Sequence, residues 1–243
     1  FFISSIGAQG INNDYIIQVG QPIGSIHGIE YDGVYSYEDF VEFDGLTNEE
    51  ARDKIYNDAA ASNNGDGAFW YTLNNYTLKD GVVTNSLIAN SNQYRPGMSK
   101  YKDQNGDGVI DDDDRVIIGN TQPLFFGGIS NTFSYGRFDL SMQFSFSYGN
   151  DIYNKNIPKA TNTANAWNNK FGMVRERWDP ENPNNTLTSF NAGASGDFAG
   201  AAHSYYIEDG SYLRLNNLSI GYKVPPKKLK KIKNVRLNVT INN

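Results

Sequence analysis

From Phe138 to Tyr148 the chain alternates with a period of two. Phe138, Leu140, Met142, Phe144, Phe146 and Tyr148 share one side, while Asp139, Ser141, Gln143, Ser145 and Ser147 share the other. A strand points successive side chains to opposite faces, so the pattern predicts one apolar and one polar sheet face. Upstream, Ile129, Phe133 and Tyr135 oppose Ser130, Thr132 and Ser134, and Tyr135-Gly136-Arg137 joins the two runs through a glycine suited to a left-handed turn. Phe125 to Tyr148 is therefore predicted to be an antiparallel hairpin. Its polar face is small and neutral, without the Lys, Glu and Arg of most water-facing sheets, and the run from Arg137 exceeds the roughly 9–11 residues with which a tilted strand crosses a bilayer core. Both features match the dyad pattern of a transmembrane barrel, lipid-facing aromatics over a polar lumen. A long strand of a soluble sandwich, its apolar side on an ordinary core, fits the same alternation.

Phe1 to Ile6 reads as a strand end and Gly7 to Asp14 as a turn, and Ile23 to Tyr35 reads as a strand interrupted by Gly24, Gly28 and Gly33. Residues 36–123 form a long insertion in which Thr47 followed by Glu50 is a capping box, predicting a helix from Asn48 to Ala61. A second excursion, 149–204, carries Trp167, Phe171, Val174 and Trp178 at three- or four-residue spacing. This predicts a helix over Thr161 to Trp178, stopped at Asp179-Pro180-Glu181-Asn182-Pro183. From Tyr205 to Tyr222 a strand is expected, broken at Gly210. Leu213 and Leu215 are out of phase with Leu218, Ile220 and Tyr222, so a bulge is expected near Asn216-Asn217. Lys227, Lys228, Lys230, Lys231 and Lys233 make a basic connector, and Val235, Leu237, Val239 and Ile241 write a last strand. Connections thus alternate between short and very long, the asymmetry of a barrel with short turns at one end and long loops at the other.

Inside the first insertion, Asp103, Asn105 and Asp107 stand at positions 1, 3 and 5 of a twelve-residue loop, with Gly108 at 6, the Val109 carbonyl at 7, Asp111 at 9 and Asp114 at 12. A hard cation needs six or seven oxygens converging from a tight turn, and this spacing supplies them. Structural Ca²⁺ is the expected ligand, held by Asp103, Asn105, Asp107, Val109, Asp111 and Asp114. Asp114 replaces the usual bidentate glutamate, and the flanks Tyr94 to Lys102 and Arg115 to Gly119 read as extended, not helical. A cation-free acidic loop of Asx turns is the alternative.

Composition narrows the function. A net charge of -6 without a broad basic face argues against nucleic acid as a partner. The absence of cysteine removes thiolate chemistry and disulfides. No apolar run is long enough for a membrane helix, which leaves strand-based spans open. The start, Phe1-Phe2-Ile3, is expected to lie within a longer polypeptide. His27 and His203 are the only histidines and stand in no metal or nucleophile motif, and the pair Glu176 and Asp179 has nothing to single it out for acid–base work. The chain is not expected to be an enzyme. The 16 tyrosines suit a wet recognition surface, and Trp70, Trp167, Trp178 and Tyr206 are candidate substrate contacts, each also explained by packing within its own loop.

Several motifs occur together: Tyr101-Lys102-Asp103 through Asp111, Asp114-Arg115, Ile118-Gly119-Asn120, Phe138-Asp139-Leu140, Tyr148 through Asn154, Arg177-Trp178 and Tyr212 through Leu218. In this order they resemble the C-terminal part of the SusC/RagA family of TonB-dependent outer-membrane transporters, over nearly the whole chain. The resemblance implies an all-β fold, part of an antiparallel transmembrane barrel of about 22 strands. About six of those strands would lie here, with long extracellular loops at 36–123 and 149–204 and the plug domain absent. It implies TonB-dependent import of oligosaccharides or peptides across the outer membrane of a Bacteroidetes-type Gram-negative bacterium. The implied partners are a SusD-like surface lipoprotein lid, the TonB complex, a glycan or peptide ligand and outer-membrane lipid. The competing expectation is a soluble or surface-attached, calcium-stabilised carbohydrate-binding β-protein without transport activity.

Overall fold

A computed structural model of the chain describes residues 2–3, 14–62, 74–87, 94–161, 169–189, 202–225 and 235–243. In chain order the first strands are β1 (Phe2–Ile3), β2 (Tyr15–Gln18), β3 (Ser25–Gly28) and β4 (Tyr31–Val34), followed by helix α1 (Asn48–Ser62). Next come β5 (Thr84–Asn85), β6 (Ser99–Tyr101), β7 (Val109–Ile110), β8 (Val116–Asn120), β9 (Phe125–Tyr135), β10 (Phe138–Tyr148) and β11 (Asp151–Tyr153). A short helix α2 (Asn156–Thr161) precedes β12 (Ile207–Asp209), β13 (Tyr212–Val224) and β14 (Val235–Asn242). The chain divides into two units, one of residues 1–119 and 153–207, the other of residues 120–152 and 208–243.

The second unit is a four-stranded antiparallel sheet in the order β14-β13-β10-β9. β9 and β10 meet through a tight turn at Gly136, whose φ of 60° is the left-handed conformation expected there. Cross-strand partners keep the two faces separate. Phe138 faces Tyr135 and Tyr222, Leu140 faces Phe133 and Ile220, and Leu237, Val239 and Ile241 continue the row on β14. One face is therefore apolar across all four strands except at Asn131, which stands opposite Met142, and its Phe133, Phe138, Ile220, Leu237 and Val239 are exposed. The polar face is laced by side-chain bonds. Arg236 Nη2 lies 3.0 Å from Asp139 Oδ2, the Ser134 hydroxyl donates to Asp139 at 3.0 Å, and Asn217 Nδ2 donates to Asn242 Oδ1 at 2.6 Å. Gln143 pairs with Asn217 but Phe144 pairs with Leu215, so Asn216 is an extra residue. This bulge, at the expected place, brings Leu213 and Leu215 into phase with Leu218 and Ile220.

The first unit holds the buried core. Thr47 and Glu50 cap α1 reciprocally: the Thr47 backbone N–H donates to Glu50 Oε2 at 2.9 Å, and the Glu50 N–H donates to Thr47 Oγ1 at 3.3 Å. Ala51 and Ile55 turn inward onto a cluster with Tyr35, Tyr37, Phe40, Phe43, Tyr94, Met98 and Trp178. Both long excursions contribute to it. The Trp178 ring meets Tyr37 edge-on at 5.6 Å, and the Ser189 N–H donates to the Gly97 carbonyl at 2.8 Å. A further join pairs Ile29 with His203, the Ile29 N–H donating to the Ala202 carbonyl at 2.9 Å. At Gly28 a Cβ would run into that same carbonyl and come within 2.7 Å of Ile118 Cδ1, so only glycine lets these segments close.

The structure departs from three expectations. First, the described strands do not close into a barrel. They make separate open sheets, β1-β2-β3-β8 and β14-β13-β10-β9 with four strands each and β11-β12, β4-β6 and β5-β7 with two. β9 and β10 at 11 residues and β13 at 13 have the expected length, but the 23–35 run splits into the four-residue strands β3 and β4. The fold is a mixed, mostly β one with one substantial helix among the described residues. Second, import needs a wall around a lumen, and open sheets make none. TonB-dependent transport, outer-membrane location, surrounding lipid, TonB complex and SusD-like lid, all implied by the resemblance, each require that wall, and the open sheets contradict them. No described helix is long and apolar enough to cross a membrane. Third, the helix expected over 161–178 is not continuous. α2 ends at Thr161, residues 162–168 lie outside the described ones, and Gly172–Glu176 is a 3-10 turn. The backbone leaves it because the Trp178 N–H is taken by the Leu187 carbonyl at 2.7 Å.

Candidate functional site

The acidic loop is built by its own side chains. Asp103 Oδ1 accepts from the Gly106 N–H at 2.6 Å and Oδ2 from the Gly108 N–H at 2.8 Å, which curls the backbone around the first carboxylate. Asn105 Oδ1 accepts from the Asp107 N–H at 2.9 Å, and Asp107 Oδ1 from the Val109 N–H at 2.8 Å. Asp114 is fully buried and closes the loop, with Oδ1 accepting from the Gln104 N–H at 2.8 Å and Oδ2 from the Asp111 N–H at 2.9 Å. Gly108 has a φ of 86°, as the sharp turn at that position requires. Bonds from Gly108 and then Gly106 hold the Asp103 carboxyl below its usual range, since they favour the charged form.

Three contacts fix this loop to the unit. Val109 and Ile110 pair in parallel with Thr84 and Asn85. Ile110 is buried against Ile29 and Tyr101. Gln104 Nε2 donates to Glu30 Oε2 at 2.8 Å, and with the Lys102 ammonium at 3.2 Å it holds the Glu30 carboxyl low. The flanks are extended, as expected, in β6 and β8. Among the described residues no group of three or more His, Asp or Glu side chains converges closely enough to grip a metal ion. The donor set is nonetheless that of a hard cation, all oxygen; Asp114 Oδ1 also accepts from the Asn105 N–H at 3.4 Å, whereas a carboxylate oxygen engaged by one N–H keeps a second lone pair.

Of the four aromatic residues named from sequence, two are described. Trp70 and Trp167 lie outside the described residues. Trp178 has no exposed surface and fills the core beside Tyr37. Tyr206 is 2% exposed, its ring centroid 3.9 Å from that of His203. Burial drives the Tyr206 pKa up and that of His203 down, to about 3. The two described positions, Trp178 and Tyr206, are both buried and form no open site.

In the second unit, Phe125, Phe146, Ser147, Tyr148, Ser211, Tyr212 and Leu213 line an open concavity of about 400 Å³. Phe125 and Tyr148 stack at 5.1 Å with planes 26° apart, forming a wall. The Ser147 hydroxyl donates to Asn150 Oδ1 at 2.8 Å, and Ser211 Oγ accepts from the Gly149 N–H at 2.9 Å. No lining residue is charged. Sequence reasoning passed over this place. Its signal was the aromatic residues Phe125, Tyr148 and Tyr212 at strand ends, beside the turns at Gly149 and Gly210.

Fold and loop together define a mostly β chain with an oxygen-rich turn on one unit and an amphipathic sheet on the other. No protein-family model matches it. TonB-dependent receptor P39 of Formosa agariphila is 30% identical over 239 residues, covering 94% of this chain and 22% of the relative. TonB-dependent receptor P26 of the same organism is 36% identical over 133 residues, 55% of this chain and 13% of that one. The chain thus spans less than a quarter of the curated relatives it matches. In fold it is similar to part of a chain in the structure of the RagAB peptide transporter, with a TM-score of 0.55 at 15% identity over 94% of this chain and 20% of that one. The motif resemblance thereby becomes a distant similarity to segments of such receptors. It does not establish this chain as a barrel portion, because its sheets stay open.

Proposed function

We propose that this chain is a calcium-stabilised β-protein that binds neutral carbohydrate without transporting it. The observation that carries the reading is the uncharged concavity walled by Phe125, Tyr148 and Tyr212. Its volume falls within the roughly 300–1,000 Å³ usual for small-ligand sites. A sugar ring has an apolar C–H face that stacks on aromatic rings and a hydroxyl rim that needs donors and acceptors. Ser147 Oγ retains acceptor capacity and Ser211 Oγ its donor, so both rim needs are met beside the stacked wall. The cation would sit on Asp103, Asn105, Asp107, the Val109 carbonyl, Asp111 and Asp114 and brace the turn between β6 and β8.

Two measurements test this. Calorimetric titration with a panel of neutral oligosaccharides is expected to find binding that Tyr148→Ala weakens about tenfold, the factor set by ~1.4 kcal/mol of ring contact. Binding unchanged in Tyr148→Ala and Tyr212→Ala, or absent for the whole panel, rejects the carbohydrate reading. Calcium titrated alone is expected to raise the melting temperature, and an unchanged melting temperature at millimolar calcium rejects the brace.

A further inference from the structure

Asn105 and Gly106 are both exposed in the acidic loop. In an Asn-Gly pair the absence of a Cβ on the second residue lets its backbone nitrogen approach the preceding side-chain amide with least hindrance. The nitrogen loses its proton and bonds to the Asn105 amide carbon, and the amide nitrogen leaves as ammonia. Water then opens the five-membered imide at either carbonyl, giving aspartate or isoaspartate, so the net change is amide plus water to carboxylate plus ammonium. No oxidant or enzyme is required.

In this loop both reacting groups are tied down. The Gly106 N–H is committed to Asp103 Oδ1 at 2.6 Å, so the nucleophile is pulled toward Asp103 and its proton is held there. The Asn105 amide is held at both ends, Oδ1 by the Asp107 N–H at 2.9 Å and Nδ2 on Asp107 Oδ2 at 3.2 Å, so it is not free to rotate toward Gly106. We infer that Asn105 is a site of spontaneous deamidation held in check by the folded loop, its conversion a record of how often the loop opens. The products differ in consequence. Aspartate adds a carboxylate to a turn that already carries Asp103, Asp107 and Asp111. Isoaspartate lengthens the main chain by one methylene and takes Gly106 and Gly108 out of reach of Asp103. The inference does not rest on the carbohydrate reading or on cation occupancy.

The test is peptide mapping by mass spectrometry of the full chain aged in neutral buffer, beside a synthetic peptide of residues 101–116 aged in parallel. Conversion in the full chain is expected to be at least about tenfold slower, since a hydrogen bond to a charged acceptor is worth that factor or more. Asp103→Ala should move the full-chain rate toward that of the peptide. Thr47→Ala, which weakens α1 away from the loop, should leave it unchanged. Equal rates in chain and peptide, no acceleration in Asp103→Ala, or equal acceleration in both variants overturns the inference.

Discussion

The Ser145 hydroxyl donates to the Asn216 side-chain oxygen across 3.2 Å, tying the one extra residue of β13 to the polar side of β10. Without that residue the pairs Phe144 with Leu215 and Phe146 with Leu213 could not coexist with Met142 opposite Leu218. A one-residue slip in a strand inverts its faces. Deleting Asn216 is therefore expected to put Leu213 and Leu215 among Ser145 and Ser147 or to break the pairing, whereas Asn216→Ala should cost only about 1 kcal/mol, one hydrogen bond. Amide exchange along β10 compared between the two variants checks this.

Asp114 is the buried end of the acidic loop, and its carboxylate serves the N–H groups of Gln104 and Asp111. Truncation to alanine strands both donors, at a cost of about 3 kcal/mol by the usual penalty for unsatisfied buried groups. Asp114→Asn keeps one oxygen acceptor and should cost less. Chemical denaturation of the two variants gives the comparison.

His203 lies among Tyr31, Tyr101, Tyr205 and Tyr206, and burial lowers its pKa from 6.5 to about 3. Below 6.5 the unfolded chain takes up a proton that the folded chain refuses, so stability falls as pH drops from 6.5 toward 3. In His203→Phe that part of the pH dependence should vanish, whatever the variant's absolute stability. Denaturation midpoints measured across this window decide the matter.

Gly97 has a φ of 85°, and a Cβ on it would collide with the Trp178 ring and approach Ser189 Cβ to 2.7 Å. Gly106 has a similar φ of 80° but nothing within 4 Å. Gly106→Ala should thus show the conformational cost alone, about 1–2 kcal/mol, and Gly97→Ala about 3 kcal/mol or more because overpacking adds to it. Equal losses would mean that the ring yields freely.

What could be seen in the chain beforehand was what local spacing determines. The alternation from Phe138 to Tyr148, the phase change at Asn216, the Thr47–Glu50 cap and the turn at Gly108 each involve residues within a few positions of one another. What could not be seen was long-range. Trp178 has a helical spacing from Val174 and Phe171, yet its position is set by Tyr37 and Gly97, which no local pattern connects to it. Length alone makes the long excursions read as loops at one end of a barrel; in the structure they share one core. Alternation likewise reports that a strand has two unlike faces, but is silent on whether its sheet closes. Aromatic identity misled in the same way, since Trp178 and Tyr206 are as large and ring-shaped in a core as at a ligand.

The Tyr31 N–H finds its acceptor on Ser204, 173 positions later. During synthesis at about 5–20 residues per second, the early segment waits on the order of ten to thirty seconds for that partner to leave the ribosome. Through that interval the surface prepared for His203 and Ala202 stands open on the nascent chain, and translation speed over residues 32–204 sets how long a chaperone has to reach it.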